Sequence, residues 1–156
     1  METFTPVKLI WTEADFEQMS WHDCRVHGVA ILDDFNPHLH ELRLDIDYIF
    51  KWVGFDTPVE QSGHWISPAT LVFEPQRFRV DLPGPGGDWI IEIERSGTAK
   101  CPKWVISLNL GGGIEVRAPG FRQYIRRPPV FVPTPNQYLE TSQRGGLSFD
   151  TTAEET

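Results

Sequence analysis

Residues 41–53, ELRLDIDYIFKWV, decide the fold. Taken two at a time, Leu42, Leu44, Ile46, Tyr48, Phe50 and Trp52 fall on one side. Glu41, Arg43, Asp45, Asp47, Ile49 and Lys51 fall on the other. Alternation sustained over this length specifies a β-strand with one buried face and one mostly wet face. At about 3.3 Å per residue it spans roughly 40 Å, far beyond the common strand of about 5–6 residues. A strand that long bends around a small core or forms the central stave of a curled sheet.

The flanking sequence supplies its partners. Residues 24–32, CRVHGVAIL, are apolar on both faces, as in a covered part of a sheet. Asp33-Asp34-Phe35-Asn36-Pro37 is turn material, and His38, Leu39 and His40 lead back into the long strand, so 24–32 and 41–53 are expected to pair antiparallel. Residues 54–67 read as an irregular loop. Short strands follow at 70–74 (TLVFE) and 77–82 (RFRVDL), the latter with Phe78, Val80 and Leu82 to one side. After the break at 83–88, WIIEIER places Trp89, Ile91 and Ile93 inward. Residues 103–110 place Trp104, Ile106, Leu108 and Leu110 on one face, and Gly111-Gly112-Gly113 signals a hairpin into IEVRA. GFRQYIR at 120–126 supplies a last strand. Upstream, Leu9 and Ile10 can add an edge strand, and Thr12 caps a helix of about two turns over TEADFEQMS, with Trp11 and Phe16 as its hydrophobic staple. Strands arriving every 8–12 residues predict a mostly β fold, an antiparallel sandwich or partly open barrel with one short N-terminal helix.

Residues 1–126 make one β-rich domain. From Arg127 prolines crowd the chain, and residues 134–156 carry four acids (Glu140, Asp150, Glu154, Glu155) against one base, Arg144. The segment reads as an extended arm followed by an acidic, flexible tail. Its sizeable apolar groups, Tyr138, Leu139, Leu147 and Phe149, are too few to offset an ordering cost of roughly 1–2 kcal/mol per residue. On that count the tail is dispensable for folding and serves association.

Composition narrows the function. Six Trp and ten Phe allow a real core in 156 residues, while thirteen Gly and thirteen Pro exclude long helices. A net charge of −8 repels phosphate backbones, and without a Lys/Arg stripe direct nucleic-acid binding is not expected. The charge suits a basic protein partner, or solubility alone. No stretch approaches the roughly 20 apolar residues of a membrane span. The N-terminus lacks a signal-peptide pattern, and Cys24 and Cys101 have no CxxC partner, so a cytoplasmic protein with free thiols is expected.

Three constellations carry possible chemistry. His22, His27, His38, His40, Asp45 and Asp47 together could supply a metal, but their spacing matches no ligand signature and no metal or other cofactor is expected. Trp21-His22-Asp23 could orient His22 as a general base beside Cys24. Its plainer reading is a helix-to-strand junction, with Trp21 plugging the core. Asp45 and Asp47, about 7 Å apart on one strand face, could act as a catalytic pair. Cross-strand ion pairs with Arg77, Arg79 or Arg95 account for them more simply. The glycines at 84–87 and 111–113 form no phosphate-binding motif and read as turns.

WHDCRVHGVAI, then ELRLDIDYI, then SPATLVFE, resemble the motifs of a group of small uncharacterised bacterial proteins: Trp/Phe-His-Asp, Leu-x-Leu-Asp-Ile-Asp-Tyr and Pro-Ala-Thr-Leu-x-Phe. That group is similar to single-domain immunity proteins encoded beside bacterial toxins. The resemblance covers about residues 20–95. It implies a cytoplasmic, acidic, mostly β binding protein, with Trp21, His22, Asp23, Asp45 and Asp47 as family-typical positions of unassigned role. The expected function is therefore a non-enzymatic binding protein that neutralises a toxin by masking its active site. The alternatives are a small metal- or His-dependent enzyme using His22, His27, Asp45 and Asp47, and a homo-oligomeric subunit exchanging its C-terminal arm.

Overall fold

The alternation of residues 41–53 extends in the folded chain to a 16-residue strand, β3 (His38–Val53). The computed structural model describes residues 3–35, 38–54, 62–84, 88–134 and 138–153. Around β3 stand β1 (Ile10–Thr12), β2 (Arg25–Phe35), β4 (Gly63–Phe73), β9 (Phe121–Ile125) and β10 (Val130–Pro133). These form one antiparallel sheet in the order β1-β9-β4-β3-β2, with β10 pairing the start of β4. A second antiparallel sheet runs β5-β8-β7-β6, from β5 (Arg77–Asp81), β6 (Ile90–Gly97), β7 (Pro102–Leu108) and β8 (Gly113–Arg117).

The two sheets pack face to face. Trp104 of β7 meets Phe73 of β4 and Phe121 of β9 at centroid distances of 6.3 and 5.3 Å. Its indole N–H donates to the Ala118 carbonyl at 3.0 Å, which satisfies the ring's one polar atom inside the core. At one corner the sheets are stitched together: Ile90 N–H donates to Cys24 O, and Asp23 N–H to Ile90 O, both at 2.9 Å. The described strands form no closed barrel. The chain is thus mostly β, as its alternation predicts.

The inner row of β3 is core, with Leu42, Leu44 and Ile46 fully buried against Phe73, Leu71 and Ala69 of β4. Two bulges overturn expectations of facing, because one extra residue moves every later side chain to the other face. The register slips between Ile49 and Lys51, and Trp52 emerges 42% exposed. It slips again between Ile90 and Glu92, so Ile90 and Ile93 point inward while Ile91 is 45% exposed. β4 begins at Gly63, inside the stretch 54–67 that the sequence reads as an irregular loop.

The N-terminal helix is a 3-10 helix, Glu13–Gln18. Thr12 Oγ1 accepts from Ala14 N–H at 3.3 Å, and Asp15 Oδ2 accepts from Thr12 N–H at 3.0 Å, a reciprocal cap. A second short helix, α1 (Thr141–Arg144), lies near the C-terminus. The turn at Asn36-Pro37, residues 55–61, 85–87 and 135–137, and the end of the tail at 154–156 lie outside the described residues. Among those described, no helix is long and apolar enough to cross a membrane.

Candidate functional site

The odd-numbered face of β3 was expected to be mostly wet, yet Glu41, Asp45, Asp47 and Ile49 are all buried on it. Residues 144–149 of the C-terminal segment reach this face. Their position begins with local geometry: α1 ends at Gly145 with φ 78, a left-handed cap that suits glycine. Gly145 and Gly146 N–H both return to Thr141 O. This turn delivers Arg144 to the sheet.

Arg144 Nη1 and Nη2 donate to Asp45 Oδ2 and Oδ1 at 3.0 and 2.6 Å, and its Nε donates to Asp47 Oδ1 at 3.1 Å. Arg126 follows β9 and donates from Nη2 to Asp45 Oδ1 at 2.7 Å and from Nη1 to Thr70 Oγ1 at 2.8 Å. Ser148 N–H completes Asp45 at 3.0 Å, and His27 Nε2 lies 2.7 Å from Asp47 Oδ2. Burial alone would pull the Arg144 guanidinium down. Its hydrogen bonds to Asp45 and the charges of Asp47 and Asp45 outweigh that and raise it above the ordinary arginine value. Further along the same face, Arg43 Nη1 donates to Phe149 O at 2.9 Å, while Glu41 holds Arg43 and Arg122. A side chain on Gly28 of β2 would collide with Leu147 and Phe149, so the tail packs there at backbone range.

This arrangement places the sequence candidates in three groups. His27, Asp45 and Asp47 come together, but each of the four carboxylate oxygens already meets an arginine or histidine nitrogen or a backbone N–H. The set holds the two buried carboxylates through charge-assisted hydrogen bonds. Trp21 belongs to the core: its indole N–H donates to Gln123 Oε1 at 2.8 Å, and its ring packs edge-on against Tyr48 and Phe121. His22 and Asp23 stand apart at the surface, with the His22 side chain 63% exposed and its Nε2 3.5 Å from Asp23 Oδ2. Asp23 adopts φ 64, the left-handed region, at the junction between the 3-10 helix and β2. Cys24 is sealed between the sheets, where burial pushes its thiol up to about 12, so it offers His22 no nucleophile. Among the described residues, no group of three or more His, Cys, Asp and Glu side chains is placed to hold a metal ion.

The partners of the aspartates are not the arginines that the sequence suggested. Arg77 and Arg79 belong to the other sheet, and Arg95 stacks on Phe16 and pairs with Glu17. The arginines that hold them are Arg126 and Arg144. One signal pointed to Arg144: it is the lone base of an otherwise acidic tail.

The β2–β3 hairpin projects from the first sheet. β3 pairs with β4 only from Leu42 onward, whereas its pairing with β2 continues through Leu32↔Glu41, Asp33↔His40 and Asp34↔Leu39 to Phe35↔His38. The hairpin therefore extends beyond β4 by four pairs, about 13 Å. It exposes Phe35 (75%) and Ile31 (59%) beside the carboxylates of Asp33 and Asp34. Comparison with models of protein families, with curated proteins and with solved structures found no match to this chain.

Proposed function

We propose that this chain is a non-enzymatic, cytoplasmic binding protein that neutralises a basic protein, with a toxin whose active site it covers as the leading case. The observation that carries the reading is the projecting β2–β3 hairpin. Ile31, Asp33 and Phe35 alternate onto one face of β2, with the Asp33 carboxylate 2.6 Å from His40 Nδ1 and Asp34 on the other face. Exposed apolar side chains flanked by carboxylates make a compact anchor for a cationic, partly apolar cleft. The net charge of −8 favours encounter with such a surface. The aspartate pair supports the same reading by its engagement, since Asp45 and Asp47 are occupied by Arg126 and Arg144. The resemblance of WHDCRVHGVAI and ELRLDIDYI to immunity-type proteins gives the partner its expected source, the product of an adjacent gene.

The test is calorimetric titration of the purified chain with that neighbouring gene product, alongside an assay of the latter's nuclease or other toxic activity. Stoichiometric inhibition is expected. Phe35→Ala should weaken binding by about tenfold or more, the effect of losing a buried aromatic anchor. Asp33→Lys with Asp34→Lys should slow association, most strongly at low salt. Tight binding that ignores all three substitutions would remove the hairpin from the interface. Turnover of a substrate by the isolated chain would overturn the non-enzymatic reading.

A further inference from the structure

The outer face of the second sheet carries a charge pattern that the hairpin reading does not use. Arg77 of β5 lies directly opposite Arg117 of β8, and Arg117 lies directly opposite Lys103 of β7. Arg79 follows on β5, opposite Glu115. Like charges placed directly across a strand pair destabilise a sheet, so this row does nothing for register. It also reverses the sign of a chain whose net charge is −8. Among the described residues, Lys103 has Glu115 at 3.7 Å, while Arg77, Arg79 and Arg117 have no carboxylate within ion-pair distance. The four cations line an open groove of about 280 Å³, together with Phe78, Val116 and Glu115.

The size of the row selects the ligand. With strands about 4.8 Å apart it measures roughly 10 Å, enough for one tetrahedral oxyanion and its nearest substituent. Guanidinium forks match phosphate oxygens in pairs, and a lysine adds a point charge. Along the strands, a longer polyanion would meet Glu94 in the row of Arg79 and Glu115, and then Asp81 and Glu92 at the far end of the same face. We infer that Arg77, Arg79, Lys103 and Arg117 form a site for a single phosphate monoester dianion, carried by a small molecule or by a phosphorylated side chain. Glu115 inside the groove holds its affinity down.

The experiment is titration of inorganic phosphate, then of a short phosphoserine peptide, into isotope-labelled protein at low ionic strength, read by amide chemical shifts. Saturable shifts are expected on β5, β7 and β8 around Arg77, Lys103 and Arg117. Arg117→Gln should weaken binding by about tenfold, the loss of one charge-assisted contact, and Glu115→Gln should tighten it. Both positions are at the surface, so the retained spectrum reports the retained fold. Peptide binding well above that of phosphate would assign the phosphorylated side chain, and equal binding the small molecule. Shifts that do not saturate, that chloride reproduces, or that survive Arg77→Gln with Arg117→Gln would overturn the site. So would tighter binding of a short oligonucleotide than of either phosphate probe.

Discussion

Arg144 is the lone base of residues 134–156, and its guanidinium ends against two buried carboxylates at the centre of a sheet. A buried pair is weak evidence of net stabilisation, but removing one partner leaves an uncompensated charge. Arg144→Met should therefore cost about 3–5 kcal/mol in urea unfolding. Adding Asp47→Asn should recover part of the loss, because without Arg144 Asp47 keeps only His27, whereas Asp45 still has Arg126 and the Ser148 N–H. A cost under about 1 kcal/mol, typical of exposed pairs, would show that water reaches the cluster. Cys24 makes a prediction about pH. Burial lifts its thiol from 9.0 to about 12, and burial likewise lifts the Tyr48 phenol above its ordinary 10.0. Above about pH 9 the unfolded chain loses a proton that the folded chain keeps, so stability falls as pH rises, by up to about 1.4 kcal/mol per unit for the thiol. Cys24→Ala should flatten the first part of that decline. Equal denaturation midpoints for the parent chain at about pH 8 and pH 10.5 would contradict it.

Among the elements, β3 takes part in both halves of the packing, with Leu42, Leu44, Ile46 and Tyr48 in the core and Asp45 and Asp47 beneath the tail. Leu44→Ala and Ile46→Ala should each cost roughly 2–5 kcal/mol through lost burial and the cavity left behind. Thermal or urea unfolding measures this, and losses under about 1 kcal/mol at both would mean the strand faces the other way. For the tail the structure argues against the outcome that composition suggests. Counting apolar groups alone makes residues 134–156 dispensable, but the count omits the charge-assisted hydrogen bonds of Arg144, the Ser148 N–H on Asp45 and the Phe149 carbonyl on Arg43. Truncation after Pro133 should destabilise the remainder at least as much as Arg144→Met. An unchanged unfolding midpoint would show that the segment adds nothing to the fold.

At the scale of the whole molecule, Trp104 binds the parts together: one ring touches Phe16 of the 3-10 helix, Phe73 of β4 and Phe121 of β9. The two sheets share one core, so neither is expected to be stable alone. Tryptophan fluorescence and far-ultraviolet circular dichroism should therefore report one coincident urea transition. Two separated transitions would mean that the sheets unfold independently. The alternation of residues 41–53, the cap at Thr12 and the hairpin glycines at 111–113 were legible in the sequence because each depends on near neighbours. Side chains two apart share a strand face, and a cap or tight turn closes within a few residues. They determined a mostly β, antiparallel fold with a short N-terminal helix. The bulges at Phe50 and Ile91, which turn Trp52 and Ile91 outward, depend on pairing with distant strands and leave no local mark. The same holds for the face of Asp45 and Asp47. Period two states that two carboxylates share a side, but not what lies above them. Arg126 and Arg144 stand some 80 and 100 positions along the chain, and only the path of β9 and the turn after α1 carry their charges there. Whether a strand face is wet or sealed was decided by the tertiary structure, because sealing it took a segment from the far end of the chain.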